Sequence, residues 1–153
     1  MAHTFEAGLV WTGANQTSSA NYQNYTRQFE IAIDGKPVLK ASAPSVFFGI
    51  DAHHNPEDLL VASLILCHAL TYFGIASKAG ILVTAYRDCA TGTLGQDGGK
   101  MKFTAVLLRP QVTIADAARR DEALALHTKA HAACFIGNSM NFPVRNEPAV
   151  FVV

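Results

Sequence analysis

Cys67 and Cys134 each fall within a long helical pattern of this chain, 67 residues apart. A thiol becomes a nucleophile when a nearby positive charge favours the thiolate, and two thiols brought together form a redox pair. In apolar surroundings the same group is a small hydrophobe with a raised pKa. The dipole of its own helix cannot activate Cys67, which stands three turns in from the N-terminus. Arg27 is a candidate activator, because alternation along a strand directs it to the same face as Tyr25, Phe29, Ile31 and Ile33. A buried guanidinium calls for an anionic partner, and Glu57, a Cys67 thiolate or another structural carboxylate would serve.

Glu57 opens the helix that carries Cys67, ten residues earlier. That spacing is about 15 Å along one helix, so the two side chains cannot touch. If both belong to one site, either Arg27 bridges them or Glu57 arrives from a second copy. A first-turn acid suits the helix dipole equally well. Leu124, His127, His131 and Cys134 share a stripe of the second helix, a His-x3-His-x2-Cys pattern suited to zinc. It supplies no fourth ligand, so core-edge histidines are expected and no metal is predicted. Cys89 is expected to pack, and His53 and His54 to lie on a surface loop. No Gly-x-Gly-x-x-Gly, phosphate-binding loop, Gly-x-Ser-x-Gly or Cys-x-x-Cys is present, and no cofactor is predicted.

The elements that must position these groups come from periodicity. Leu9-Val10-Trp11 reads as a strand, Gly13 to Asn24 as a polar loop, and Tyr25 to Ile33 as a second strand. Asp34-Gly35 turns the chain into Val38 to Ala41, and a loop runs from Pro44 to His54. Asn55 caps a helix with Pro56 in its first turn, and Ala79-Gly80 ends it. Being apolar on nearly every side, that helix is predicted to be the central one of the core. Strands follow over Leu82 to Thr93 and Lys100 to Ile114, joined by the turn Gly95 to Gly99. A second helix is predicted from Asp116 to Ile136 and strand from Phe142 to Val153. The order βββ-α-ββ-α-β describes one α+β domain over 1–153.

Composition narrows the class. Half of the 153 residues are hydrophobic and 16% charged, with twelve acids against twelve bases and no basic run. Nucleic acid is therefore not an expected partner. Met1 to Glu6 lacks the layout of a signal peptide, and three cysteines are an odd number for a secreted disulfide framework. A cytoplasmic protein is expected. Leu59 to Ile75 approaches a membrane-spanning length, but Ser63, Cys67, His68, Thr71 and Gly74 interrupt it, and a buried core helix is expected instead.

Several of these pieces occur together in one known family. Asn55-Pro56-Glu57-Asp58-Leu59-Leu60, Ala62-Ser63, Cys67-His68, Lys78-Ala79-Gly80, His131-Ala132-Ala133-Cys134 and Asn138-Ser139 keep a characteristic order. In these residues the chain resembles the OsmC/Ohr family of osmotically inducible and organic-hydroperoxide-resistance proteins. The resemblance implies an OsmC-like α+β fold, with antiparallel sheets around a central buried helix plus a second helix. It implies an intertwined homodimer with two sites at the subunit interface. Within it, Cys67 would be the peroxide-attacking cysteine and Cys134 the resolving one, with Glu57 and an Arg holding the thiolate. One branch of the family takes that Arg from the loop where this chain has Phe47; another takes it from an early strand, where Arg27 stands. Phe135 replaces a Pro that often follows the second cysteine. The implied activity is reduction of an organic hydroperoxide through a Cys67 sulfenic acid and a Cys67–Cys134 disulfide. A dithiol (lipoyl protein, thioredoxin or small thiol) would then restore both cysteines. The missing loop Arg motivates the alternative of a non-catalytic binding or redox-sensing protein.

Overall fold

Local capping signals set the limits of the longest element in the computed structural model, which describes residues 2–13 and 19–153. Helix α1 spans Pro56–Lys78. Asn55 Oδ1 accepts the Asp58 N–H at 2.8 Å, and its amide donates to the Asp58 carboxylate at 2.7 Å. Glu57 and Asp58 place negative charge at the positive end of the dipole. At the other end Gly80 takes φ 70, Gly80 N–H bonds to Ser77 O and Ile81 N–H to Ala76 O. That paired closure needs a left-handed residue, which glycine supplies without strain. Asn55→Ala is expected to destabilise the protein by about 1 kcal/mol. The melting midpoint should fall by about 3 °C, as calorimetry would show.

The chain forms two compact units, residues 1–59 and 60–153. In the first, β1 (Gly8–Trp11), β2 (Phe29–Ala32) and β3 (Leu39–Ala41) make an antiparallel meander. Part of the polar tract from Gly13 to Asn24, residues 14–18, lies outside the described residues. The second strand is shorter than its alternation suggested. Carbonyls before Phe29 are taken by side chains: Trp11 Nε1 donates to Thr26 O at 2.6 Å, and Arg27 to Tyr25 O at 3.1 Å. The loop after β3 returns to it through Ser42 N–H to His54 O (2.8 Å) and His54 N–H to Lys40 O (3.0 Å).

The second unit holds the rest of α1, six strands and two helices: β4 (Val83–Arg87), β5 (Thr91–Asp97), β6 (Lys100–Leu108), β7 (Gln111–Ile114), α2 (Arg120–Ala133), α3 (Phe135–Asn138), β8 (Val144–Asn146) and β9 (Ala149–Val152). Each run expected as one strand is cut in two. The first breaks at Asp88, whose carboxylate takes the Arg109 N–H at 2.8 Å. The second breaks at Pro110, which has no N–H for a ladder. The β5–β6 turn is also tighter than expected, with Gly98 (φ 59) and Gly99 (φ 77) between paired Asp97 and Lys100.

These breaks distribute the strands between two sheets, β4-β7-β9 and β5-β6-β8. Both are mixed, correcting the expectation of antiparallel sheets: β6 pairs β8 and β7 pairs β9 in parallel. The α2–α3 segment supplies the crossover that a parallel pair requires. One register serves both pairs, since residue n meets n+38 in each (Val106 with Val144, Gln111 with Ala149). Pro110 and Pro148 mark the same level of the two runs.

Two apolar clusters fill the unit. Leu64 joins Val106 and Leu108 of β6, while Tyr72 and Ala76 join Val112, Ile114, Ala123, Leu126, Ala130 and Val150. The buried residues of α1 are Leu64, His68, Tyr72 and Ala76, four apart on one stripe. Leu66 and Leu70 on the other side are 60% and 65% exposed. Within this chain α1 is thus covered on one face, not enclosed as expected. Apolar on all sides, it is also long enough to cross a membrane by length and composition alone.

Candidate active site

Cys67 and Cys134 come together in the second unit. Their sulfurs take the N–H groups of two adjacent residues at the start of α3, Ile136 and Gly137. Cys67, on α1, is half-buried and accepts the Ile136 N–H at 3.5 Å. Cys134 is 3% exposed and accepts the Gly137 N–H at 3.3 Å. It does not sit inside one continuous helix as predicted. Its backbone is extended (φ −71, ψ 111), ending α2 and capping α3 with its own sulfur. The helix breaks there, and the thiol is turned out of the α2 stripe. Burial pushes the Cys134 pKa well up, and the neighbouring Cys67 thiol adds to that, against the Gly137 N–H, which lowers it. The two thiols therefore differ in kind: one can be reached, the other is dry and held protonated.

Arg27 and Glu57 line one cavity of about 490 Å³ in the first unit, walled by Leu9, Tyr22, Tyr25, Phe29, Ile31 and Phe47 among others. Arg27 is buried, 5% exposed, as its place in the alternation predicted. Of the anionic partners expected for it, no carboxylate is bound: among the described residues it forms no ion pair with an acidic side chain. The guanidinium instead donates to the carbonyls of Tyr22 and Tyr25. Aromatic faces surround it, with the Tyr25 ring centroid 3.9 Å from Cζ, Tyr22 at 5.0 Å and Phe48 at 5.3 Å. Carbonyl dipoles and ring quadrupoles replace the anion. Phe48 reaches this position from the left-handed region (φ 63), closing a short 3₁₀ turn over Ser45–Phe47. Glu57 presents a buried carboxylate oxygen, Oε2, with no hydrogen-bond partner among the described residues. A fixed cation and an unpartnered carboxylate oxygen thus share an otherwise apolar cavity, a combination suited to a small organic molecule with a polar head.

The remaining candidates separate. His127 does not join His131 and Cys134 around a metal, and among the described residues no group of three His, Cys, Asp or Glu is placed to hold one. His127 Nδ1 lies 3.0 Å from Nε2 of His68, which directly follows Cys67. Cys89 is exposed rather than packed, at the break after β4. His54 is exposed in the loop before α1, and His53 is half-buried.

The His68–His127 pair escaped the sequence reading, although the spacing Leu64, His68, Tyr72, Ala76 carried half of the signal. Burial pushes both imidazoles down to about 4, with His131 adding to the effect on His68 and His68 to that on His127. The sign follows directly. The folded state keeps the rings neutral while the unfolded chain binds protons below about 6.5, so stability is full above that pH. It is lost as pH falls from about 6.5 through about 4. Urea midpoints should decline across that window, and His127→Asn, which cannot titrate, should show a shallower decline.

The family model described as OsmC-like protein matches residues 49–147, more than half of the chain. The chain belongs to the OsmC-like family. An OsmC-like protein of unknown function from Vibrio cholerae is 32% identical, with 96% of this chain and 99% of that chain covered and a TM-score of 0.88. An organic hydroperoxide resistance protein OsmC from Legionella pneumophila shares 22% identity over 99% of this chain and 98% of its own, at a TM-score of 0.70. An organic hydroperoxide resistance protein from Elizabethkingia anophelis shares 21% over the whole of both chains, at 0.71. These two similarities show the shared α+β fold. A search of curated proteins returned no match.

Proposed function

We propose that this OsmC-like protein is a thiol-dependent peroxidase acting on organic hydroperoxides. The observation that carries the reading is the unequal pair itself: a half-buried Cys67 and a buried Cys134 whose sulfurs take the N–H groups of the adjacent residues Ile136 and Gly137. Cys67 thiolate attacks one oxygen of R–O–OH, the O–O bond breaks, and the alkoxide leaves as the alcohol after taking a proton. Cys67 is left as sulfenic acid. The Cys134 sulfur then attacks the Cys67 sulfur, the S–O bond breaks, and hydroxide departs with the Cys134 proton as water. A dithiol reduces the disulfide by exchange and is itself oxidised. Lipoyl protein, thioredoxin or a small thiol has the required chemistry. We assign the protein to the cytoplasm because each cycle draws on such reductants.

Arg27 and Glu57 are assigned to hold the thiolate and the peroxide head, Glu57 coming from a second copy because about 15 Å of helix separates it from Cys67 of its own chain, with the apolar walls of their cavity taking the organic group. The working unit is proposed to be one OsmC-like domain over 1–153, paired with a second copy. Leu66, Leu70 and Phe73 support pairing: they lie three and four apart on the uncovered face of α1 and are 40–65% exposed. One observation favours a second reading, a non-catalytic binding or sensing protein: Arg27 is held by rings and carbonyls, with no carboxylate bound to it among the described residues.

Reduced protein treated with cumene hydroperoxide decides between them. One hydroperoxide should be consumed per Cys67–Cys134 bond mapped by mass spectrometry, and dithiothreitol should sustain turnover. Absence of both the bond and peroxide consumption overturns the peroxidase. Bond formation without sustained turnover favours the sensor.

A further inference from the structure

His68 and His127 take no part in the chemistry above, yet they join the two helices that carry the thiols. His68 directly follows Cys67 on α1, and His127 stands two turns before Cys134 on α2. Both are buried, 0% and 1% exposed, with nearly parallel rings (10°). Tyr72, one turn beyond His68, stacks on His127 at 4.1 Å between centroids and donates to Ala123 O at 3.2 Å. Tyr72 therefore stacks on one member of an edge-to-edge imidazole pair between α1 and α2. The remaining nitrogens, His68 Nδ1 and His127 Nε2, are buried without partners among the described residues. In either tautomeric arrangement one N–H is orphaned, at a cost in stability. Two apolar side chains would fill the space without that cost.

What a ring-to-ring hydrogen bond adds is a fixed length and direction, where apolar packing lets helices slide. Disulfide formation is sensitive to such sliding, because the sulfurs must close to about 2.05 Å in a narrow geometry. We propose that His68 and His127 are positioning residues whose hydrogen bond, stacked against Tyr72, sets the α1–α2 spacing at which the Cys67 sulfenic acid meets Cys134. The inference rests on the peroxidase reading. The step it assists is the condensation written above, with the hydroperoxide as oxidant and water as the product released.

The test compares wild type with His127→Asn, which keeps a polar atom where Nδ1 stands, and His127→Gln, which moves it by one methylene. Each reduced protein receives one equivalent of cumene hydroperoxide. Sulfenic acid is trapped with dimedone, and the disulfide is followed by mass spectrometry. All three should form Cys67 sulfenic acid at rates within about twofold. His127→Asn should condense within about threefold of wild type, while His127→Gln should be slower by about tenfold and collect Cys67 sulfenic acid that dimedone captures. Condensation in His127→Gln as fast as wild type overturns the proposal, and so does His127→Asn as slow as His127→Gln. No sulfenic acid in wild type strikes the peroxidase reading instead. In that case, or where a variant does not fold, nitrogen-15 spectra of wild type decide. Coupling between the two ring nitrogens is expected in the reduced protein and in the protein oxidised by diamide, and its loss in either overturns the proposal.

Discussion

Cys67→Ser is expected to abolish peroxide consumption, lowering the rate on the order of 10³-fold or more, because a hydroxyl at neutral pH is no substitute for a thiolate. The fold should survive, since the side chain is half-buried and its sulfur takes a single long N–H contact, from Ile136 at 3.5 Å. Cys134→Ser should behave differently. Its first turnover should proceed at nearly the wild-type rate and then stop, leaving Cys67 as a sulfenic acid that dimedone captures and excess hydroperoxide carries to sulfinic acid. Stopped-flow peroxide assays with mass spectrometry distinguish the two. The roles are reversed if Cys134→Ser loses the first turnover while Cys67→Ser keeps it. The burial that raises the Cys134 pKa argues against that outcome.

Leu70→Glu is expected to split the protein into monomers. Leu70 is 65% exposed in the chain, so the monomer should tolerate the carboxylate. Across a pairing surface, however, the charge loses its water without a counter-ion. A penalty of about 3 kcal/mol there weakens association by roughly 100-fold. Sedimentation should show wild type at twice the chain mass and the variant at once, with peroxide turnover falling in parallel. A wild type that sediments as a monomer, or a variant that stays dimeric, would sink the pairing.

Much of α1 was legible because its signals are local. Asn55-Pro56-Glu57 and Ala79-Gly80 act within one turn of the ends they set. The burial of Arg27 was legible from alternation, but its surroundings were not: Tyr22 and Phe48 come from five residues before and 21 after. Pro110, inside a run expected to be one strand, was a visible break left unused. The break at Cys134 had no such marker, because no Gly or Pro stands there; the sulfur makes the cap itself. His68 and His127 are 59 residues apart in sequence. Periodicity can place each on a buried stripe, but only packing shows that the stripes meet.

The common offset of 38 ties the lengths of two distant joins together. A residue gained at Arg109–Pro110 alone would advance Gln111–Ile114 by one step against Ala149–Val152 while β6 and β8 stayed in phase. Because side chains alternate, that single step would send the inward-facing members outward along the whole pair. A matching residue at Glu147–Pro148 would restore the phase. Insertions at these joins are therefore tolerable as a couple and ruinous singly.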